Sequence, residues 1–418
     1  MKFYQWRELA YKPYVTDGFK APGGVYFYDA KQIDRFLGGI AKSYAEKLRA
    51  EIKAAEAELP AVYPFLHVVK DIDNPGDTNV ELRGDPKTLG EVAPRRFLQA
   101  LCTDEPEPYK QGSGRAQLAD AIVKHPLTAR VIVNRVWQHH FGKGIVRTPS
   151  NFGRMGERPT HPELLDTLAA RFIANGWSLK KLHRLILTSK AYQQSADYNP
   201  KAAKADSENR LLWRFRRQRM TGEVLRDTLL SVSGELSLQR GGESVMPPLP
   251  ADVTTRGYWK DSTNPKESNR RSIYIFVKRN LRFPLFEAFD MPDTHEACAR
   301  RQVTITPLQS LLLMNEATML QTARTFAERV LRETENDPKA QIERAYQLAF
   351  QRSPDVDEHY RALRFLTKQA EIAEQRLQAN EKIFVPQTLP QGVNKAQGAA
   401  LIDFCHVLMN TNEFVYVE

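Results

Sequence analysis

The sequence predicts a mainly α-helical fold, a multi-helix orthogonal or antiparallel array with a few short β segments. Apolar residues recur at helical spacing over most of the chain after residue 112, and proline or glycine lies where these runs begin and end. The β-prone runs are short and few. With 418 residues and 42% hydrophobic composition, the chain is long enough to bury a sizeable core and to form two or three domains.

Residues 1–60 are predicted to be an N-terminal connector. A short β-prone run at 23–28 follows a Pro-Gly-Gly turn. Strong helix formers fill residues 45–59, with Leu48, Ile52, Ala55 and Leu59 on one face, and Pro60 ends the helix. Such a charged helix is typical of a solvated connector.

Residues 61–111 are predicted to form a small segment rich in β structure and turns, with extended runs at 62–69 and 80–83. A proline-rich stretch that ends in Gly112-Ser113-Gly114 is the best linker in the chain. We therefore expect the α-helical core to occupy residues 112–418.

Pro126 opens a helix that continues to His140, and Gly142 ends it. At 100° per residue, the adjacent residues His139 and His140 point in different directions. The apolar face is predicted to contain Ala129, Ile132, Val133, Val136, Trp137 and His140. The opposite, polar flank is predicted to contain Arg130, Asn134 and Gln138.

Further helices follow from capping residues and periodicity. Thr160 and Ser178 are predicted to cap an antiparallel helix pair, and a stretch without a pattern at 240–269 is predicted to be a long loop. A β-prone run occupies 271–277, and one long helix is predicted from Leu308 to about Arg332. Other helices are predicted at 116–123, 221–233, 339–351, 355–378 and 397–410.

The charge balance favours acidic partners. Sixty Lys and Arg residues against fifty Asp and Glu give a net charge of +10, which attracts polyanions. The most basic segment combines aromatic residues with four arginines, Arg214, Arg216, Arg217 and Arg219. Guanidinium groups bind oxyanions bidentately and stack on aromatic rings, so these are candidate anion-binding residues. The alternative is that they pair with Glu223, Asp227 and Glu235 of the following helix.

The sequence predicts no metal site and no haem in this chain. Four of the nine histidines lie between His125 and Trp177, but none has the spacing of a known metal motif. Cys405-His406 lacks the first cysteine of a haem-attachment motif, because Ile402 stands three residues before Cys405. The three cysteines match neither a disulfide scaffold nor a zinc site, and the role of Cys298 is open.

No signal peptide and no membrane span are predicted. The first residues lack a basic segment followed by an apolar run, and no stretch reaches eighteen consecutive apolar residues.

Three motifs carry a resemblance to a known family. They are Asn-Arg-Val-Trp-x-His-His-Phe-Gly at 134–142, Gly-Glu-x-Pro-x-His-Pro-Glu at 156–163 and Gly-Trp-Ser at 176–178. With further matches over most of the chain from Arg83 onward, the sequence resembles the planctomycete surface domain, a C-terminal domain of unknown function in planctomycete and verrucomicrobial proteins. Those proteins usually carry a cytochrome c module upstream.

The resemblance implies a periplasmic, cell-surface or secreted protein, with haem c only in an upstream or partner module. One hypothesis is a non-haem part that binds or oxidises a carbohydrate and passes electrons to a cytochrome c. Its candidate substrate-binding residues are Arg130, Asn134, Gln138, His139, Glu157 and His161.

A second hypothesis is a non-catalytic binding or scaffold module for an acidic polymer, a sulfated glycan rather than nucleic acid, because no nucleic-acid-binding signature is present. A third interpretation is that the same motifs only hold a helical fold together.

Overall fold

The computed structural model describes residues 37–58, 68–250, 253, 259–262, 264–279 and 281–417. The fold is mainly α-helical, which confirms the predicted class. The predicted β run at 23–28 and nearly all of the predicted strand at 62–69 lie outside the described residues.

The described residues form fifteen α-helices and two small two-stranded sheets. The helices are α1 Gly39–Glu58, α2 Arg115–Lys124, α3 Pro126–Phe141, α4 Pro162–Ala174, α5 Leu179–Leu187, α6 Pro200–Ala205, α7 Gly222–Ser233, α8 Pro265–Ser268, α9 Pro284–Ala288, α10 Pro307–Asn315, α11 Ala317–Thr334, α12 Pro338–Phe350, α13 Val356–Gln378, α14 Lys395–Met409 and α15 Asn412–Val415. The strands are β1 Thr78–Glu81, β2 Leu89–Ala93, β3 Gln218–Arg219 and β4 Tyr416–Val417. Both sheets are antiparallel.

The chain divides into two compact units, one within residues 1–96 and 107–114, and one within 97–106 and 115–418. The division into 1–60, 61–111 and 112–418 stays a prediction. In the first unit, α1 buries none of its residues. Strand β1 pairs with β2, with Thr78 opposite Ala93 and a register shift between Asn79 and Glu81. The Asp77 carboxylate accepts a hydrogen bond from Arg95 Nε at 2.8 Å, and this bond lowers the pKa of Asp77.

The second unit contains a core formed mainly by α3, α4 and α5. Helix α3 begins after His125, whose Nδ1 accepts a hydrogen bond from the Leu127 backbone N–H at 3.2 Å. It ends at Gly142, which takes a left-handed backbone with φ of 75°. The core side chains are Ala129, Val133, Val136, Trp137, Phe141, Ile145, Val146, Leu165, Leu168, Ala169, Phe172, Leu182 and Ile186.

A larger core in the same unit is formed around α11 and α14. Ten of the fifteen residues of α14 are buried. At Gly398, an added Cβ would lie 2.8 Å from side-chain atoms of Pro386 and Leu389, so only glycine allows this close approach. Burial raises the pKa of the Cys405 thiol on this helix, which keeps that thiol protonated and unreactive.

The predicted single helix from Leu308 to Arg332 is wrong. The helix is interrupted at Glu316, whose extended backbone (ψ 135°) separates α10 from α11. No proline or glycine marks the break, so propensity alone favours continuity. The break lets Leu313 and Met319 both enter the larger core.

Two other local predictions differ from the structure. The β-prone run at 271–277 contains a 3-10 helix at Ser272–Tyr274 and one bridge, between Val245 and Ile275. The cause is the fully buried Arg270, whose guanidinium lies over the Tyr274 ring and holds the segment against residues 241–243. Helix α4 begins one residue later than predicted, with His161 rather than Thr160 at its N-cap.

The lengths and hydropathies of the helices bear on membrane crossing. None of those in the part of the chain that the structure describes is both long and apolar enough to span a bilayer.

Candidate functional site

Asn134, predicted on the polar flank of α3, is fully buried. Its amide Nδ2 donates to the Val146 carbonyl at 3.0 Å, and its Oδ1 accepts from the Val146 backbone N–H at 2.7 Å. Both polar ends of the side chain therefore hold the turn after α3. The phasing of the flank was wrong at this position, because a backbone loop supplies polar partners inside the core.

The other two flank residues also contact protein groups. Arg130 Nε lies 3.0 Å from Asp166 of α4. Gln138 Nε2 donates to the Ala299 carbonyl at 3.2 Å. Ala299 lines the large cavity described below, so Gln138 supports one of its lining residues.

The remaining candidates of the first set have different partners. His139 is exposed, whereas His140 is half-buried and shares a 2.7 Å hydrogen bond with His183. Burial, followed by the charges of His183 and His139, lowers the pKa of His140. The Glu157 carboxylate lies 3.8 Å from Arg210, and His161 Nδ1 lies 3.0 Å from the Thr160 hydroxyl. None of these side chains lines the cavities described below, and their substrate-binding role stays a prediction.

A basic cavity lies where the chain leaves α3. It has a volume of about 330 Å³. Three of the predicted anion-binding arginines line it together with one lysine and one acid: Lys143, Arg214, Arg216, Arg217 and Glu208. We call this the basic cavity.

The loop before β3 is fixed by its own hydrogen bonds. Asn209 Nδ2 donates to the Arg214 carbonyl at 2.8 Å, and Trp213 Nε1 donates to the Asp206 carbonyl at 2.8 Å. Asn209 and Leu212 both take left-handed backbone, with φ of 52° and 56°. The buried Phe215 side chain anchors the loop, so the arginines beside it are held in place rather than left mobile.

Positive charges in the basic cavity repel one another. The pKa of Lys143 is lowered first by burial and then by the charges of Arg216 and Arg147. The pKa of Arg216 is lowered by burial, by Arg147 and by Arg214. Glu208 opposes both effects but is itself held by Arg147 at 2.6 Å. The site therefore carries more positive charge than its own acids neutralise, which is the condition for attracting an anion.

A larger cavity lies next to the basic cavity, because Arg147 on its wall pairs with Glu208 of the basic cavity. It has a volume of about 700 Å³ and is lined by both acids and bases. Arg147 lines the large cavity and pairs with Glu208 of the basic cavity, and Arg300 of the large cavity adds to the field that lowers the pKa of Lys143. Arg147 and Arg300 therefore add positive charge beside the basic cavity, while the four arginines of the large cavity are balanced by four acids. Cys298 is exposed on the wall of the large cavity.

Arg219 does not line the basic cavity. Its guanidinium is buried, donates to Asp290 at 2.6 Å and to the Thr304 carbonyl at 2.9 Å, and lies over the Phe289 ring. Asp290 was not among the acids proposed as partners, and Glu223 pairs instead with Arg301 at 2.7 Å. Arg219 therefore forms an ion pair within the fold, as the alternative predicted, but its partner is Asp290.

Sequence reasoning missed Lys143, Arg147 and Arg300. Lys143 stands between two glycines that end α3, and this feature was interpreted only as a helix stop. The distance in sequence between residue 143 and residues 214–217 hides their proximity.

No group of three or more metal-ligating side chains occurs among the described residues. Four of the five charged side chains that line the basic cavity are cationic, which suits an anion rather than a metal ion.

The model of the PSD1 family, described as protein of unknown function (DUF1553), matches residues 114–366. No curated protein and no solved structure matches the chain.

Proposed function

Because this chain belongs to the PSD1 family of proteins of unknown function, we propose its role from its own site: it binds an acidic polymer, a sulfated glycan, at the basic cavity. The single observation that carries the proposal is the cluster of Lys143, Arg214, Arg216 and Arg217 around one opening. Guanidinium groups match the geometry of sulfate and carboxylate oxygens.

A polymer fits the charge distribution better than one small anion. The field around Lys143 includes Arg147 and Arg300, which line the neighbouring large cavity. An extended chain with an anionic group on each repeat can contact both openings at once. Several modest charge contacts then add up to useful affinity and specificity.

Aromatic rings beside the cations favour a carbohydrate. Arg214 lies 5.4 Å from the centre of the Tyr198 ring and 4.8 Å from that of Trp213. Tyr198 is 65% exposed, so a sugar face can reach its ring next to the guanidinium. Aromatic faces also stack nucleic-acid bases, and a competition experiment with single-stranded DNA separates the two polymers.

The test compares the double variant Lys143→Gln/Arg216→Gln with the matched control Lys180→Gln/Lys339→Gln. The control also removes two positive charges, but from exposed sites on α5 and α12. We expect the first variant to elute from immobilised heparin at lower salt than both wild type and control, with Kd raised about tenfold or more. Circular dichroism and the melting temperature report whether each variant is folded.

Equal elution of the two double variants would refute the proposal, since net charge alone would then explain retention. The single variant Lys143→Gln, whose side chain is only half-buried, repeats the test if the double variant unfolds.

We extend the proposal to a redox role, in which the protein oxidises the bound carbohydrate and passes the electrons to a cytochrome c partner. It rests on the resemblance of the motifs at 134–142 and 156–163. In that role the protein acts in the periplasm, at the cell surface or outside the cell, and haem c is supplied by another module. Reduction of added cytochrome c in the presence of sulfated and neutral glycans tests it, and no reduction with any of them overturns it.

A further inference from the structure

A third cavity, of about 370 Å³, lies in the second unit between α7, α9 and the start of α11. Its volume falls within the range of sites that hold small organic molecules. Much of the wall is apolar, with Leu230, Phe283 and Met319 among the lining residues. None of its lining residues lines the basic cavity or the large cavity.

Glu316 supplies the first polar group of this cavity. It occupies the break between α10 and α11, where its extended backbone presents the side chain at the start of α11. Its Oε2 atom is buried and has no hydrogen-bond partner. Burial raises the pKa of Glu316, with the Thr318 hydroxyl acting in the opposite direction. A buried carboxylate oxygen without a donor is costly, and a ligand that donates a hydrogen bond removes that cost.

Glu235 supplies the second polar group. Its Oε2 lies 3.1 Å from the Thr325 hydroxyl and 3.5 Å from the Ser233 hydroxyl. Each hydroxyl has a single proton and also lies within 3.1 Å of a backbone carbonyl of its own helix. The other carboxylate oxygen of Glu235 is not used by either contact. Within the described residues, neither Glu235 nor Glu316 forms an ion pair with a lysine or arginine.

Arg226 also lines the cavity, but its donors are directed elsewhere. Its Nη atoms donate to the carbonyls of Ser268 and Arg270 and to the Ser272 hydroxyl. Asp227 lies 3.9 Å from the same guanidinium and balances part of its charge. The two glutamates are therefore left as acceptors without a matching cation.

We propose that this cavity binds a small organic amine, with its ammonium group between Glu316 and Glu235 and its apolar body against Leu230, Phe283 and Met319. An ammonium carries three N–H donors and one positive charge, which satisfies Glu316 Oε2 and the remaining oxygen of Glu235. The aromatic ring of Phe283 adds a favourable face for a cation or for an aromatic body. A monoamine of the size of phenethylamine fits the volume.

The experiment measures binding of phenethylamine to the full chain by calorimetry, with 2-phenylethanol as the neutral probe of the same shape. We expect the amine to bind at least tenfold more tightly than the alcohol. Glu316→Gln and Glu235→Gln each remove one acceptor charge and are expected to weaken the amine about tenfold, without changing the alcohol.

The matched control is Glu374→Gln, which removes one exposed carboxylate from α13 and is expected to leave the amine affinity unchanged. Equal binding of amine and alcohol would show a purely apolar cavity and overturn the proposal. Loss of amine affinity in Glu374→Gln as large as in Glu316→Gln would show nonspecific attraction and overturn it as well. No binding of either probe at millimolar concentration would also overturn it.

Discussion

Removal of the Asn134 side chain is the sharpest test of the region around α3. Asn134 is fully buried, and its amide makes two hydrogen bonds with the backbone of Val146, of 3.0 Å and 2.7 Å. Asn134→Ala leaves one N–H and one carbonyl of Val146 unpaired in a core residue that is 2% exposed. Each buried group left without a partner costs about 1–3 kcal/mol, so the free energy of unfolding should fall by about 2–6 kcal/mol.

Urea denaturation followed by tryptophan fluorescence measures this loss, because Trp137 reports on the same helix. With an m value of about 3 kcal/mol/M, the unfolding midpoint should fall by about 0.7–2 M. The exposed neighbour Arg135→Ala is the control and should change stability by less than about 0.5 kcal/mol. A stable Asn134→Ala protein that has lost glycan binding would refute the structural role and restore Asn134 as a ligand contact.

Three further predictions concern stability. Glu316→Gln should raise the melting temperature at pH 7 and have little effect below about pH 4. Burial raises the pKa of Glu316 in the folded protein above its usual value, so the buried carboxylate lowers stability only where it is ionised. Arg352→Gln should lower the melting temperature at pH 7, with the loss disappearing as the pH falls from 4.5 towards 2, because Arg352 lowers the pKa of Glu358 from 4.5 to about 2. Gly398→Ala should destabilise the protein by about 1–3 kcal/mol through overpacking, whereas Gly39→Ala, with nothing within 4 Å of the added Cβ, should not. Melting curves that show the reverse pH dependence, or equal effects of the two glycine substitutions, would contradict these assignments.

Periodicity and capping predicted the helices well where local signals agree. The helix after Pro126 ends at Gly142, and Ser178 caps α5, where its hydroxyl accepts from the Lys181 backbone N–H. These features depend on backbone groups within a few residues, which the sequence shows directly.

Features set by distant contacts could not be predicted from local patterns. The break at Glu316 has no proline or glycine, and the β-prone run after Arg271 is shaped by the buried Arg270. Tertiary packing outweighs propensity at both places.

The candidate sites also divide into features that local sequence predicts and features that depend on distant contacts. Composition identified Arg214, Arg216 and Arg217 as an anion-binding segment, and the structure brings Lys143 to them from the end of α3. The polar flank of α3 was harder to interpret, because helical phasing cannot show that a loop backbone pairs with Asn134. A polar residue at regular spacing is as often structural as it is functional.

The most direct test of the proposed function is calorimetric titration of a sulfated oligosaccharide and of its desulfated counterpart of equal length. We predict that only the sulfated chain binds, that Kd rises steeply when the salt concentration increases from about 0.05 to 0.3 M, and that Lys143→Gln/Arg216→Gln flattens this salt dependence. Equal affinity for the two oligosaccharides, or binding that does not change with salt, would contradict the assignment of the basic cavity.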